Sequence, residues 1–282
     1  MNIALLTYSG LPNLVENERR LISLFAAQSV TAKAVIWNDP EVDWATFDAL
    51  IFRSTWDYFH QPDLFEQWLH ERIADQTKAF NAIQTVLKNM HKHYLRDLAA
   101  AGVAIVPTYF YRLDAFLTLS SLPISGKCII KPAISGGAYL TSLFEHQQLA
   151  EVQQRMRDLD AHSDWLIQPF LSEIQTSGEV SLIFFNKKYQ YAILKMPKKG
   201  DFRVQSQFDG QYSPYQPTAE TIESAEKILS LYPENLLYAR VDGIIIQGQF
   251  LLMEVELIEP DLFFNLFDGS DQNFVDTFIE LC

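Results

Sequence analysis

Apolar and polar positions follow two rhythms along this chain, and their order predicts its architecture. Residues 2–8, NIALLTY, form an apolar run of strand length, and residues 14–28 carry a helical spacing through Leu14, Leu21, Ile22, Leu24 and Phe25. A second strand is expected in TAKAVIW at 31–37, a third in DALIFRS at 48–54, and a helix near 61–75. Strand and helix in alternation predict an α/β unit over residues 1–82, a small parallel sheet flanked by helices. Ligands of such sheets gather beyond the carboxyl ends of the strands.

After Phe80-Asn81 the pattern changes. One helix is expected from Ile83 to Ala101, stopped by Gly102, then a strand at 106–111 and a short helix after Leu113. Strand, small-residue loop and strand follow across 126–144, then a helix at 146–161, a strand at 164–171 and a hairpin at 178–197. Residues 198–217 are polar, poor in helix formers and long for a structureless connection, as lids and binding loops are. A helix at 218–231, a second hairpin from Tyr238 to Pro260 and a helix near 271–281 complete the order.

The second hairpin is chemically anomalous. Arg240, Asp242, Glu254 and Glu256 sit inside strands otherwise built from Val, Ile, Leu, Met and Phe, where an unpaired carboxylate is costly to bury. A three-residue loop at Gln247-Gly248-Gln249 sets Ile246 opposite Phe250, Asp242 opposite Glu254 and Arg240 opposite Glu256. All four charges then project from one face, with Val241, Leu251, Met253, Val255 and Leu257 on the other. Three carboxylates and one arginine suit a hard divalent ion, Mg²⁺ above all, which usually also binds substrate phosphates. The alternative is a pair of salt bridges on a solvent-facing sheet.

Composition narrows the partners. The 282 residues suffice for two or more packed subdomains, and the net charge of −13 argues against a nucleic-acid partner. No segment approaches the roughly 20 apolar residues of a membrane span, and MNIALLTYSG lacks a basic signal-peptide start. A cytoplasmic chain without a membrane partner is expected. Cys128 and Cys282 give neither a disulfide framework nor a zinc spacing. His91 and His93 flank Lys92, and on a continuous helix that spacing separates them as surface groups.

Two segments fall at strand ends of the first unit. Tyr8 lies in one; Arg53, Ser54, Thr55, Trp56, Asp57 and Tyr58 form the other, dense in aromatic and hydrogen-bonding groups and led by an arginine suited to fork onto a carboxylate. These are expected to wall a substrate site, unless Arg53 and Asp57 are simply a structural pair. No glycine-rich dinucleotide fingerprint accompanies the sheet, which disfavours a nicotinamide enzyme. Lys131 ends the strand CIIKP directly before Ser135-Gly136-Gly137, where glycines let a backbone approach phosphate oxygens.

Taken in order, Lys92, Lys131 in IIKPAISGGA, QPFL, Gly178-Glu179, Lys195 with Arg203, and RVDG with MEVEL resemble the ATP-grasp superfamily of carboxylate-amine ligases. RSTWDYF, QPFL, GDFRVQ and ELIEP look similar to its subgroup of O-ureidoserine cyclo-ligases and prokaryotic glutathione synthetase-like ATP-binding proteins. The resemblance implies an α+β ATP-grasp fold: a pre-ATP-grasp domain at 1–82, a flap subdomain at 83–165 and a C-terminal subdomain with the metal site at 166–282.

The roles it implies follow. ATP and two Mg²⁺ ions, with Mn²⁺ as a substitute, are the expected cofactors. Asp242, Glu254 and Glu256 would ligate metal, although many members carry Asn where this chain has Glu256. Arg240, Arg203 and Lys195 would serve catalysis, and Lys92 and Lys131 the α- and β-phosphates. Gln168, Pro169, Phe170 and Leu171 form the adenine hinge; since proline has no N–H, the Pro169 carbonyl would accept and the Phe170 amide donate. Glu173 or Glu179 would reach the ribose, and Ile129, Ile167 and Leu252 would sandwich the ring, unless they are plain core. The implied activity is ATP-dependent ligation of a small amino-acid-like substrate through an acyl phosphate, by a homodimer or homotetramer. A cyclo-ligase, a kinase or a nucleotide-binding module without turnover are the alternatives.

Overall fold

The computed structural model describes all residues except 113–116, 119–121, 123 and 160–163. The short helix expected after Leu113 and the end of the helix expected at 146–161 lie outside the described residues. Asn2–Thr7 (β1), Thr31–Ile36 (β2), Ala49–Ser54 (β3) and Ala79–Phe80 (β4) form a parallel sheet in the order β2-β1-β3-β4. Arg20–Ala27 (α1) and Pro62–Ala74 (α2) connect its strands. Every residue of β3 is buried, as expected of a parallel strand covered on both faces.

The expected single helix at 83–101 is two helices, Ile83–Met90 (α3) and Tyr94–Ala100 (α4), broken at His91-Lys92-His93. Ile83, Val86 and Met90 of α3 pack into the core under the first sheet, so that unit continues past residue 82. Tyr109–Arg112 (β5), Lys127–Pro132 (β6), Ser142–Glu145 (β7) and Asp164–Pro169 (β8) make an antiparallel sheet ordered β5-β8-β6-β7. Leu149–Leu159 (α5) covers it, and Trp165, Ile167, Cys128 and Met156 share a core there. β8 pairs with β6 as far as Pro169, so the boundary expected at 165 cuts through a strand.

The third sheet is antiparallel, with Glu173–Thr176 (α6) leading into it. Its strands are Glu179–Phe185 (β9), Lys188–Met196 (β10), Gln211–Tyr215 (β11), Tyr238–Ile246 (β12) and Gln249–Glu256 (β13), ordered β11-β10-β9-β12-β13. The stretch expected to be structureless at 198–217 therefore supplies an edge strand, β11, and a 3-10 turn at Ser206–Phe208. Ala219–Ser230 (α7) packs on this sheet, capped by the Thr218 side chain.

Ser270–Leu281 (α8) fuses the two ends of the chain. Phe274 and Phe278 meet Phe25 of α1 at ring-centroid distances of 6.5 and 5.1 Å, within one core that also takes Ile3, Leu5, Ile183 and Tyr238. Each such buried aromatic contributes roughly 1.5–3 kcal/mol. The first and third sheets thus share a core, while the second has its own. A cavity of about 410 Å³ opens where the three meet.

Candidate active site

The charged hairpin β12–β13 forms the floor of that cavity. Arg240 pairs with Glu256 and Asp242 with Glu254, the expected partners, although by a different route. The loop is two residues rather than three: Gln247 and Gly248 both have positive φ, 51° and 82°, the form that matches strand twist. A bulge between Asp242 and Gly243 restores the register. Gly243 is required there, because a Cβ would come within 2.3 Å of the Phe250 ring. The bulge also corrects the expected facing. Met253 and Ile244 line the cavity, whereas Leu252 is buried behind the sheet.

The carboxylates are interleaved with cations. Asp242 accepts from Ser181 Oγ at 2.6 Å, from Arg240 Nε at 3.0 Å and from Lys195 Nζ at 3.1 Å. Lys195 also contacts Glu179, its partner across β9–β10, and Arg240 reaches Glu256 and the Asp261 carbonyl. Lys92 donates to the Ser135 carbonyl at 2.5 Å and meets Glu254 at 2.8 Å. Lys131 has no ion pair among the described residues.

Burial alone would raise the Asp242 carboxyl, but Arg240 and Lys195 outweigh it and hold it below the usual carboxylate range. Burial likewise opposes the Lys195 charge, yet Asp242 and Glu179 raise its pKa. Glu256 is different: burial, incompletely offset by Arg240, pushes it up to about 7. For Lys131 burial prevails and lowers the pKa, so the ammonium is poised to gain from an anion.

These contacts test the metal expectation. Glu254 and Glu256 keep 26% and 27% of their side-chain surface exposed and face the cavity; Asp242 keeps 5% and is closed in by cations. Two glutamates with hard oxygen donors fit Mg²⁺, and Asp242 can join them only if Arg240 and Lys195 turn away.

The hinge corrects the expected adenine contacts. The Phe170 amide donates to the Lys127 carbonyl at 2.9 Å and so belongs to the sheet. The Leu171 amide has no backbone acceptor among the described residues, and Leu171 lines the cavity with Gln168, Pro169, Phe170 and Ile129. Pro169 carbonyl and Leu171 amide, two residues apart on extended chain, share a side. Ile167 is core, Glu173 does not line the cavity, and Glu179 is committed to Lys195, so neither glutamate is free for a ribose there.

The expected substrate wall divides. Arg53 is fully buried: Nε donates to Glu18 Oε1 at 3.1 Å, Nη2 to the Pro260 carbonyl at 2.9 Å, and its guanidinium lies over the Tyr238 ring. It has no face for a ligand carboxylate. Ser54 bonds the same glutamate, Thr55 is buried, Asp57 accepts from Trp37 Nε1 at 2.7 Å, and Tyr8 packs at the edge of the first core. Trp56 does line the cavity, its Nε1 donating to the Glu259 carbonyl at 2.9 Å. Tyr58 of the same stretch lines the cavity too; sequence reasoning missed Phe59 and Glu259, although both lie in stretches it singled out. Burial, reinforced by Glu256, holds Glu259 well above the usual carboxylate range.

Arg203 stands over the opposite wall. It pairs with Asp201 at 2.7 Å, and its guanidinium carbon sits 3.7 Å from the Phe208 ring centroid. Gln207 Nε2 donates to the Gly137 carbonyl at 2.9 Å, so this loop touches the glycine loop of the second sheet.

A cleft between two antiparallel sheets, with lysines on both and acids on the floor, defines an enzyme that grips a nucleotide between subdomains, and the chain belongs to the ATP-grasp ligase family. It is 30% identical over 253 residues, 83% of each chain, to the cycloserine biosynthesis protein DcsG of Streptomyces lavendulae. Residues 3–81 match the family described as D-cycloserine synthetase DcsG, N-terminal domain. The crystal structure of D-cycloserine synthetase DcsG superposes with a TM-score of 0.88 at 23% identity, covering 100% of this chain and 99% of that one. D-alanine–D-alanine ligase from Bacillus anthracis complexed with ATP shares the fold at a TM-score of 0.70 and 16% identity, covering 99% and 96%.

Proposed function

We propose that this ATP-grasp ligase phosphorylates the carboxylate of a small amino-acid-derived substrate and joins the activated acyl group to a nitrogen nucleophile, and that the nitrogen belongs to the same molecule, closing a ring. The observation that carries the reading is one cavity holding Lys92, Lys131, Lys195, Arg203 and Arg240 together with Glu254 and Glu256. The relationship to a cycloserine biosynthesis protein favours the cyclising form.

A substrate carboxylate oxygen attacks the γ-phosphorus and ADP leaves; the nitrogen then attacks the acyl carbon, phosphate departs, and the nitrogen loses its proton. Catalysis of that sequence is mainly electrostatic, since negative charge moves from the bridging oxygen to the acyl phosphate. Lys92 and Lys131, on the α3–α4 break and at the end of β6, reach the α- and β-phosphates. Lys195 and Arg240 leave Asp242 for the transferred phosphoryl, and Arg203 approaches it from the loop above. Glu254 and Glu256, joined by Asp242, would hold Mg²⁺, which would supply neutralisation of phosphate charge. Pro169 and Leu171 bind adenine through the backbone, and Trp56, Tyr58 and Phe59 enclose the acceptor. The pre-ATP-grasp, flap and C-terminal units supply acceptor, phosphate and metal contacts respectively.

ADP release is the test, measured with Mg-ATP against a panel of free amino acids, O-substituted serines and dipeptides, with products resolved by mass. A cyclised product from a single amino-acid derivative is expected. ADP release only with two separate substrates would replace cyclisation by intermolecular ligation, and none with any carboxylate would overturn the reading.

A further inference from the structure

The break between α3 and α4 does more than place Lys92. On a continuous helix His91 and His93 would diverge; here their ring centroids are 3.8 Å apart. Both face Asp164, the first residue of β8: His93 Nε2 lies 3.3 Å and His91 Nε2 3.7 Å from Asp164 Oδ2. One ligand atom from each residue falls within 4.8 Å of the others, the only such group of three among the described residues. The side chains are 32%, 30% and 22% exposed, fixed yet reachable from solvent.

Simple ion pairing does not account for this arrangement. The two imidazoles are crowded against each other as well as against Asp164, which a single ion pair to the carboxylate would not require. Arg112, 4.0 Å from the other carboxylate oxygen and largely exposed, is the nearby cation, and Arg96 faces the same cluster. Two imidazoles and one carboxylate oxygen form a donor set suited to a borderline divalent ion completed by water; Mg²⁺, which takes oxygen ligands, does not suit it.

We propose that His91, His93 and Asp164 form a second metal site, for Zn²⁺ or a similar imidazole-seeking ion, separate from the carboxylates on the cavity floor. The site is tied to the nucleotide cleft by backbone: the Lys92 amide donates to the Ala133 carbonyl at 2.9 Å, and the Ala133 amide to the Asp164 carbonyl at 2.8 Å. An ion there fastens the α3–α4 turn to β8 and fixes the lysine between its ligands.

Zn²⁺ is titrated calorimetrically into the tag-free full chain in excess Mg²⁺, and Co²⁺ is followed by its visible absorption. One ion per chain is expected, weakened at least about tenfold by His93→Ala and by Asp164→Asn, a loss that even an outer-shell partner causes. Glu254→Gln, on the cavity floor, should bind Zn²⁺ as the wild type does. Melting curves in chelator identify any variant that fails to fold, and Asp164→Asn, nearly isosteric, stands in for a misfolded His93→Ala. Unchanged affinity in the histidine and aspartate variants, loss in Glu254→Gln alone, or no stoichiometric binding would each overturn the site.

Discussion

Lys92 on the α3–α4 break and Glu254 on β13 meet at 2.8 Å across the rim of the cavity. On the proposed roles, a cation for phosphate and an acid for metal neutralise one another in the free protein. The same holds for Arg240 and Lys195 against Asp242. Mg-ATP has to exchange partners within this network rather than fill a row of free charges, because unpaired charges here would be costly to bury.

The two acids should therefore respond differently to neutralisation. Asp242→Asn leaves Arg240 and Lys195 short of a charge partner at a site with 5% exposure and should lower stability by about 3 kcal/mol. Glu254→Gln, at 26% exposure, should cost no more than about 1 kcal/mol. Both should reduce ADP formation by on the order of 10²-fold. Denaturant melts beside turnover per folded molecule check this; equal stability losses would mean the cations do not depend on Asp242.

Arg53 and Glu18 should behave as a structural pair. Arg53→Ala or Glu18→Ala is expected to cost about 3–5 kcal/mol, since each leaves a buried charge alone. The double replacement Arg53→Met/Glu18→Leu should recover most of that loss. A double-mutant cycle measures it, and an additive result would refute the coupling.

The loop carrying Arg203 should separate chemistry from nucleotide binding. Arg203 is satisfied by Asp201 and Phe208 in the free protein, and on the proposed mechanism it gains only when the phosphoryl moves. Arg203→Ala is expected to lower kcat by about 10²-fold with ATP affinity nearly intact. Gln207→Ala, which removes the contact to Gly137, should speed proteolysis within 198–210 in the absence of nucleotide. Equal losses in kcat and ATP affinity for the arginine variant would assign it to ground-state binding.

Acceptor and nucleotide ends of the cavity should also come apart. Trp56→Leu is expected to raise KM for the acceptor while leaving the calorimetric Kd for Mg-ATP within about twofold, and Lys131→Ala to do the reverse. Lost nucleotide affinity in both would place Trp56 at the phosphates.

Much of this site was legible before folding. Alternation along a strand is local, so the sequence determined that Arg240 and Asp242 share a face of β12 and Glu254 and Glu256 a face of β13, and the period of the first eighty residues determined a parallel sheet with its helices; the cross-strand pairing itself holds only because the bulge offsets the shorter loop. Lys131 beside its glycines and the polar loop with Arg203 could be read the same way. Tertiary structure decided the rest through contacts that no local spacing encodes. Glu18 reaches Arg53 from 35 residues away and turns an apparent substrate ligand into a core pair. The Lys127 carbonyl claims the Phe170 amide, shifting the hinge by one residue. Phe250 against Gly243 sets the bulge that turns Met253 toward the cavity. At Lys92 the Ala133 carbonyl takes the backbone amide where the helix breaks. A side chain's type and face follow from neighbours a few residues away, but which partner satisfies it depends on segments that meet only when three sheets close together.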